Sequence, residues 1–252
     1  MASASPAPFH VVRPSGAAPV VLVCDHASNV VPDELGSLGV SADDLTTHIA
    51  YDIGAAMVAR RLSTLLDAPL VLSGVSRLVV DCNRPPGVPS AIPETTGGVV
   101  VPGNAGLDAQ AREERHQRWF RPYHDAIGAL LDERRGVRRG KGPVLLSIHS
   151  FTPELLGERR PWPIALLYGK DARLAHAFRD ELRRDGSFPV GDNQPYSVGE
   201  LTDYTVPVHG IGRGLLHTAF EIRQDGIDTE AGAHAWADRI AAAFRAIDPV
   251  RT

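Results

Sequence analysis

Six short runs of Val, Ile and Leu recur along the chain, at residues 20–23, 70–72, 78–80, 144–148, 164–168 and 215–222. They are unbroken, without the alternation of apolar and polar positions that a half-buried strand shows. Unbroken runs of this kind read as strands buried on both faces, and such strands need a layer packed above and another below. Amphipathic stretches separate several of them. Residues 44–66 place Leu45, Ile49, Ile53, Met57 and Leu65 near one helical face, with Ser41 as N-cap and Asp44 three residues on in the capping-box position. Residues 108–134 are helical in composition, but Pro122 inside them removes a donor and is expected to kink or split the helix. Residues 171–184 and 228–247 complete the helical set. Strands alternating with helices predict a three-layer αβα sandwich. Residues 85–106 and 188–214, rich in Pro and Gly, have no regular pattern, and loops this long in a compact domain are commonly functional. No linker composition and no internal repeat interrupts the chain, so residues 1–252 are expected to form one domain.

Composition excludes several classes. With 252 residues, 43% hydrophobic and 22% charged, the chain is long enough to bury a core without disulfide staples. A formal net charge of -4 supplies no basic footprint for nucleic acid. Cys24 and Cys82 are the two cysteines, too few for a disulfide framework or a multi-cysteine zinc knuckle; both are expected to be small core residues. No apolar run is long enough to span a membrane, and residues 1–8 lack the basic and apolar regions of a signal peptide, so a cytoplasmic protein is expected.

In α/β sheets, ligands bind outside the carboxyl ends of the strands. The first run delivers Cys24-Asp25-His26, the run at 78–80 delivers Asp81-Cys82-Asn83-Arg84, the run at 144–148 delivers His149-Ser150, and the last ends in Glu221-Ile222-Arg223. Such groups are costly to bury unless paired or metal-bound. His26 and His149 are nitrogen ligands of the kind zinc prefers, and a catalytic zinc takes three protein ligands. Glu221 is suited to act as general base. Arg84 and Arg223 are suited to a substrate carboxylate, with Asn83 assisting. The third ligand stays open between Asp52, which shares a helical face with His48 at i and i+4, and His48 and Asn29 themselves. His217 shares a strand face with Glu221 and is a candidate for orienting it, against the simpler reading of a satisfied core histidine. His10, His116, His176 and His234 read as surface or packing residues, and His124 as structural. There is no His-Glu-x-x-His helix, no Gly-x-Ser-x-Gly elbow and no P-loop. Gly210, Gly212 and Gly214 precede a strand, so they read as turn residues, not as a dinucleotide loop.

The segments Asp25-His26-Ala27-Ser28-Asn29, His48-Ile49-Ala50-Tyr51-Asp52-Ile53-Gly54 and Ser76-Arg77-Leu78-Val79-Val80-Asp81-Cys82-Asn83-Arg84-Pro85 resemble the N-formylglutamate amidohydrolase family. So do Ser147-Ile148-His149-Ser150-Phe151, Gly191-Asp192-Asn193-Gln194-Pro195-Tyr196-Ser197 and Phe220-Glu221-Ile222-Arg223-Gln224-Asp225, in order over nearly the whole chain. The resemblance implies a mixed, mainly parallel sheet similar to that of zinc carboxypeptidases and aspartoacylase. It implies hydrolysis of an N-formyl or other N-acyl amino acid at zinc or another divalent metal. Asp81-Cys82-Asn83-Arg84 looks like a substrate-carboxylate segment of aspartoacylase-like enzymes. Glu221 would match their general base, and His149 their second histidine ligand. Those relatives use His-x-x-Glu where this chain has His26-x-x-Asn29, which turns the expectation toward Asp52 as the remaining ligand. The loop at 191–197 would line the substrate mouth, with Asn193 and Tyr196 in hydrogen-bonding reach. The expected partner is a small anionic N-acyl amino acid. The alternatives are a related metal hydrolase of another N-acyl amino acid or short peptide, and a non-catalytic binder of acidic metabolites.

Overall fold

The computed structural model describes residues 5–136, 142–184, 186–199 and 202–248. Seven strands form one sheet: β1 (Phe9–Val12), β2 (Val20–Cys24), β3 (Leu70–Ser73), β6 (Val144–Phe151), β9 (Ile164–Leu167), β10 (Val190–Asp192) and β11 (His217–Arg223). Their order is β1-β3-β2-β6-β11-β9-β10. The β1/β3 and β11/β9 pairings are antiparallel and the rest are parallel, so the sheet is mixed and mainly parallel as expected. Two-residue strands make two small hairpins, β4 (Thr95–Thr96) with β5 (Val99–Val100) and β7 (Glu154–Leu155) with β8 (Glu158–Arg159).

Strand side chains alternate between faces, and β2 shows how the layers are built. Val20, Leu22 and Cys24 face a core shared with α1 (Ala55–Leu66), α4 (Arg173–Leu182) and α5 (Glu230–Ile247). Val21 and Val23 face a second core with Tyr123, Ile127, Leu130 and Leu131 of α3 (Arg121–Glu133). Both faces are covered, which is why the run has no polar position. Cys24 and Cys82 are buried free thiols. No helix among the described residues is long and apolar enough to cross a membrane.

Two expectations are corrected. Residues 78–80 are not a strand. They run through a buried turn in a third core with Leu38, Val40, Trp119 and Phe120. Two of their carbonyls are satisfied by side chains: Asn104 Nδ2 donates to Leu78 O (2.8 Å) and Arg115 Nη1 to Val79 O (3.1 Å). Hydropathy reports only burial, which a packed loop shares with a strand. The helix at 44–66 is confined to α1, with a single 3-10 turn at Asp44–Thr46 before an irregular bend. Ser41 still exchanges hydrogen bonds with Asp44. His48 and Asp52 therefore lie in the bend and share no helical face. The helix at 108–134 is split beside Pro122: one wide turn, His116–Phe120, separates α2 (Ala109–Arg115) from α3, and in it Arg121 N bonds to His116 O. That wider turn accommodates the ring that would clash in a regular helix.

Gly54 ends the bend at φ 81°, and a Cβ there would sit 2.2 Å from Ile227 O, so only glycine fits where α1 begins. Gly210 is required by packing, since a Cβ would meet the His217 ring at 2.8 Å.

Candidate active site

His26 follows the end of β2, His149 lies near the end of β6, and Glu221 lies on β11 directly opposite His149 in the parallel register. The bend before α1 brings Asp52 in from the side, anchored by Asp52 N donating to His26 O (3.0 Å). All four side chains are buried, and they line one cavity of about 470 Å³ together with His48, Arg77, Asn83, Arg84, Phe151, Thr152 and Tyr196.

The two imidazoles are arranged alike. Nδ1 of His26 and Nδ1 of His149 converge on Asp52 Oδ2, at 3.3 and 2.9 Å. Nε2 of each meets a different carboxylate: Asp81 Oδ1 at 2.7 Å for His26, Asp25 Oδ2 at 3.1 Å for His149. A carboxylate behind an imidazole fixes its orientation and leaves the other nitrogen as the ligand atom. One ligand atom from each of His26, Asp52 and His149 lies within 4.8 Å of the others. Asp25 is held by Tyr123 OH and Thr205 Oγ1, both at 2.7 Å, and by Ser147 Oγ at 3.3 Å. Asp81 is held by two guanidinium nitrogens of Arg77, at 2.7 and 3.1 Å. Arg77 also reaches Asp52 Oδ1 at 3.5 Å.

Burial pushes the carboxylates up and the imidazoles down, but mutual attraction wins. Asp25 and Asp52 lie below the usual carboxylate range because of His149 and His26, and Asp81 because of Arg77 and His26. For His26, burial and Arg77 oppose a charge, yet Asp81 and Asp52 outweigh them, and its pKa rises. For His149, burial is outweighed by hydrogen bonds to Asp25 and Asp52. The three carboxylates of Asp25, Asp52 and Asp81, with Arg77 on the last two, leave two negative charges to offset. Two imidazole protons can do so, and so can one divalent cation with both imidazoles neutral. The donor set therefore fits a divalent metal in both ligand type and charge.

Glu221 is different. Its Oε2 is buried with no hydrogen-bond partner among the described residues. Burial pushes its pKa up to about 7, with His149 opposing and Asp52 adding to the rise. A carboxyl poised there can take and return a proton near neutral pH.

The other expected residues separate into two groups. Arg84 lines the cavity, donating to the carbonyls of Asn83 and Thr202 and lying 3.5 Å from Asp203. Asn83 lines it too, but its amide organises the neighbouring loop, donating to Asp203 Oδ1 and accepting from the N–H groups of Tyr204 and Thr205. Tyr196 lines the cavity. Arg223 and Asn193 are not among the lining residues. Arg223 bonds to Asp225 and the Arg160 carbonyl, and Asn193 Oδ1 accepts from Tyr168 N. Asn29 is engaged with Leu45 O, not with the cluster. His217 bonds to Leu215 O, so it is a core histidine and not a partner of Glu221.

Sequence reasoning gave no role to Asp25, Asp81 or Arg77, although each adjoins or shares a segment with an expected site residue. An Asp directly before His26 is a usable cue only once a second histidine is known to share it.

None of the curated proteins matches the chain in sequence. Among solved structures, a gene product of Agrobacterium tumefaciens is 38% identical, with TM-score 0.89 over 95% of this chain and 96% of that chain. An N-formylglutamate amidohydrolase from Ralstonia eutropha is 20% identical, with TM-score 0.73 over 97% of this chain and 98% of that one, and shares the fold. The N-formylglutamate amidohydrolase pattern matches residues 18–227. With that match over most of its length, the chain belongs to the N-formylglutamate amidohydrolase family and is a hydrolase.

Proposed function

We propose that this protein is a metal-dependent amidohydrolase that cleaves N-formyl-L-glutamate to glutamate and formate. The observation that carries the reading is Glu221, a buried and unpartnered carboxyl in register with His149, in the same cavity as the His26–Asp52–His149 cluster. His26, Asp52 and His149 would hold zinc or another divalent cation, with Asp25 and Asp81 orienting the two imidazoles. When bound, the cation would supply Lewis-acid polarisation of the amide carbonyl. Glu221 accepts a proton from the attacking water as its oxygen adds to the formyl carbon. As the C–N bond breaks, Glu221 returns that proton to the leaving amine nitrogen. Arg84 binds a substrate carboxylate and lends positive charge to the developing oxyanion, on a loop that Asn83 organises. The Tyr196 hydroxyl adds a polar contact at the cavity wall. Arg223 and Asn193 take no part in this reading. A cytoplasmic location suits a small-metabolite hydrolase of this kind.

The test is Glu221→Gln. It is expected to keep its metal and to lose turnover by about 10²- to 10⁴-fold in a formate-release assay. Undiminished turnover would remove Glu221 as the base. A panel of formyl, acetyl and succinyl amino acids identifies the acyl group.

A further inference from the structure

Arg160 is 6% exposed, yet no carboxylate lies within ion-pair distance of it among the described residues. The two arginines that line the cavity do have such partners, Arg77 with Asp81 and Asp52, and Arg84 with Asp203. Of two other buried arginines, Arg134 lies 3.5 Å from Glu133 Oε2, Arg115 lacks a close carboxylate, and both are tied to neutral acceptors. Arg115 donates to Val79 O, Gly103 O and Asn104 Oδ1 at 2.6–3.1 Å, and Arg134 to Pro14 O and Gly16 O at 2.8 and 3.1 Å. Arg160 has looser ties. Nη1 lies 3.4 Å from both Thr152 O and Thr152 Oγ1, and its one short side-chain bond runs from Nη2 to Tyr196 OH at 3.0 Å. Its backbone is pinned, since Arg160 N donates to Pro153 O and Arg160 O accepts from Arg223. Its guanidinium carbon sits 5.1 Å from the Tyr196 ring centre and 5.5 Å from that of Phe151.

Phe151, Thr152 and Tyr196 all line the active-site cavity, so Arg160 stands directly behind its wall. A guanidinium has donors only, so it makes the Tyr196 oxygen an acceptor and leaves the phenolic proton to be given elsewhere. No acceptor for that proton exists among the described residues, and Tyr196 is 47% exposed at the cavity. The charge of Arg160 also reaches inside: after burial and Arg77, it is the next influence holding the His48 imidazole below its usual range, and His48 lines the same cavity.

We propose that Arg160 and Tyr196 form a second anion-recognition point in this cavity, which takes the second carboxylate of a dicarboxylic N-formyl amino acid while Arg84 takes the first. Tyr196 touches the substrate. Arg160 is a positioning residue that aims the hydroxyl and supplies the positive charge behind it. This assignment rests on the amidohydrolase reading and deepens it to the residues that read the second carboxylate.

N-formyl-L-glutamate and N-formyl-L-glutamine have nearly the same shape and differ by one charge, so their kcat/KM ratio isolates the second carboxylate. In Arg160→Gln that ratio falls about 10- to 100-fold, chiefly through KM for the glutamate derivative. Tyr196→Phe shifts the ratio in the same direction by less, and Arg160→Lys restores part of it. An equal loss on both substrates, or an unchanged ratio, overturns the proposal. Should the wild-type protein turn over neither substrate, the amidohydrolase reading fails by itself. Calorimetric titration with glutarate and with butyrate then decides the role of Arg160: selective weakening of glutarate in Arg160→Gln supports it, and equal weakening overturns it. Thermal unfolding checks that each variant is folded. If Arg160→Gln is not, Arg160→Lys and Tyr196→Phe carry the same comparison.

Discussion

Two pairs of buried histidines lie in this protein with almost the same ring separation and opposite chemistry. His26 and His149 have ring centres 5.1 Å apart, edge to face. His124 and His209 have ring centres 5.2 Å apart, stacked. The first pair is wired to Asp25, Asp52 and Asp81, and its pKa values are raised. In the second, His124 bonds to Cys82 O and to His209, with no carboxylate in hydrogen-bond reach. Burial pushes His124 down to about 4, and burial with His124 and Arg213 pushes His209 down to about 3. Burial alone makes a histidine a neutral packing residue. Carboxylates on both ring nitrogens outweigh burial and favour its charged form.

The sharpest way to break the contrast is to remove the carboxylate that His26 and His149 share. Asp52→Ala is expected to abolish stoichiometric metal binding and to lower turnover by at least about 10³-fold, measured by elemental analysis and formate release. Retention of full metal in that variant would take Asp52 out of the cluster. Removing an orienting carboxylate comes next. Asp81→Asn should weaken metal affinity by about 10- to 100-fold in a chelator competition, since His26 keeps Asp52 but loses its anchor.

The stacked pair makes an opposite prediction about pH. A histidine held low in the folded state stays neutral while its unfolded counterpart gains a proton below about pH 6.5. The unfolded chain then binds more protons, so stability rises with pH across that window. His124 alone should cost about 2 kcal/mol of unfolding free energy between pH 7 and pH 5, seen in urea titrations. His124→Gln should flatten that slope; an unaltered slope would refute the assignment. In metal-free protein the raised pair contributes with the other sign. Its stabilisation is complete below the ordinary histidine range and fades as the pH climbs through the raised folded values. The smallest expected effect is His209→Gln on metal affinity, within about twofold, because no ligand or orienting carboxylate touches His209. A large loss there would show that the two pairs are linked.

Much of this contrast was legible before any fold was known. His26, His149 and Glu221 each stand at or just beyond the end of a strongly apolar run, and those runs are strands for the reason hydropathy suggests. Asp52 was legible only as a carboxylate beside Ile49 and Ile53 with no evident partner. The helical face invoked for it does not exist, because Gly54 ends an irregular bend there. Residues 78–80 misled because a buried turn capped by Asn104 and Arg115 has the same composition as a strand. Arg223 looked like Arg84 in sequence, and the ion pair with Asp225 holds it away from the cavity lining. Arg160 stood out in no pattern, because its meaning depends on the absence of a neighbour.

The chain by itself determined the layers and pointed to His26 and His149, since period and burial are local properties carried by adjacent residues. It also determined the class of chemistry, because histidine, carboxylate and arginine at strand ends are costly to bury without a task. Only the tertiary structure decided which carboxylate completes the cluster, which two stand behind the imidazoles and which arginine is left without a counter-charge. Those are distances between residues 26 and 81, 52 and 149, and 160 and 196, and electrostatic energy depends on separation in space, which the order of residues does not encode.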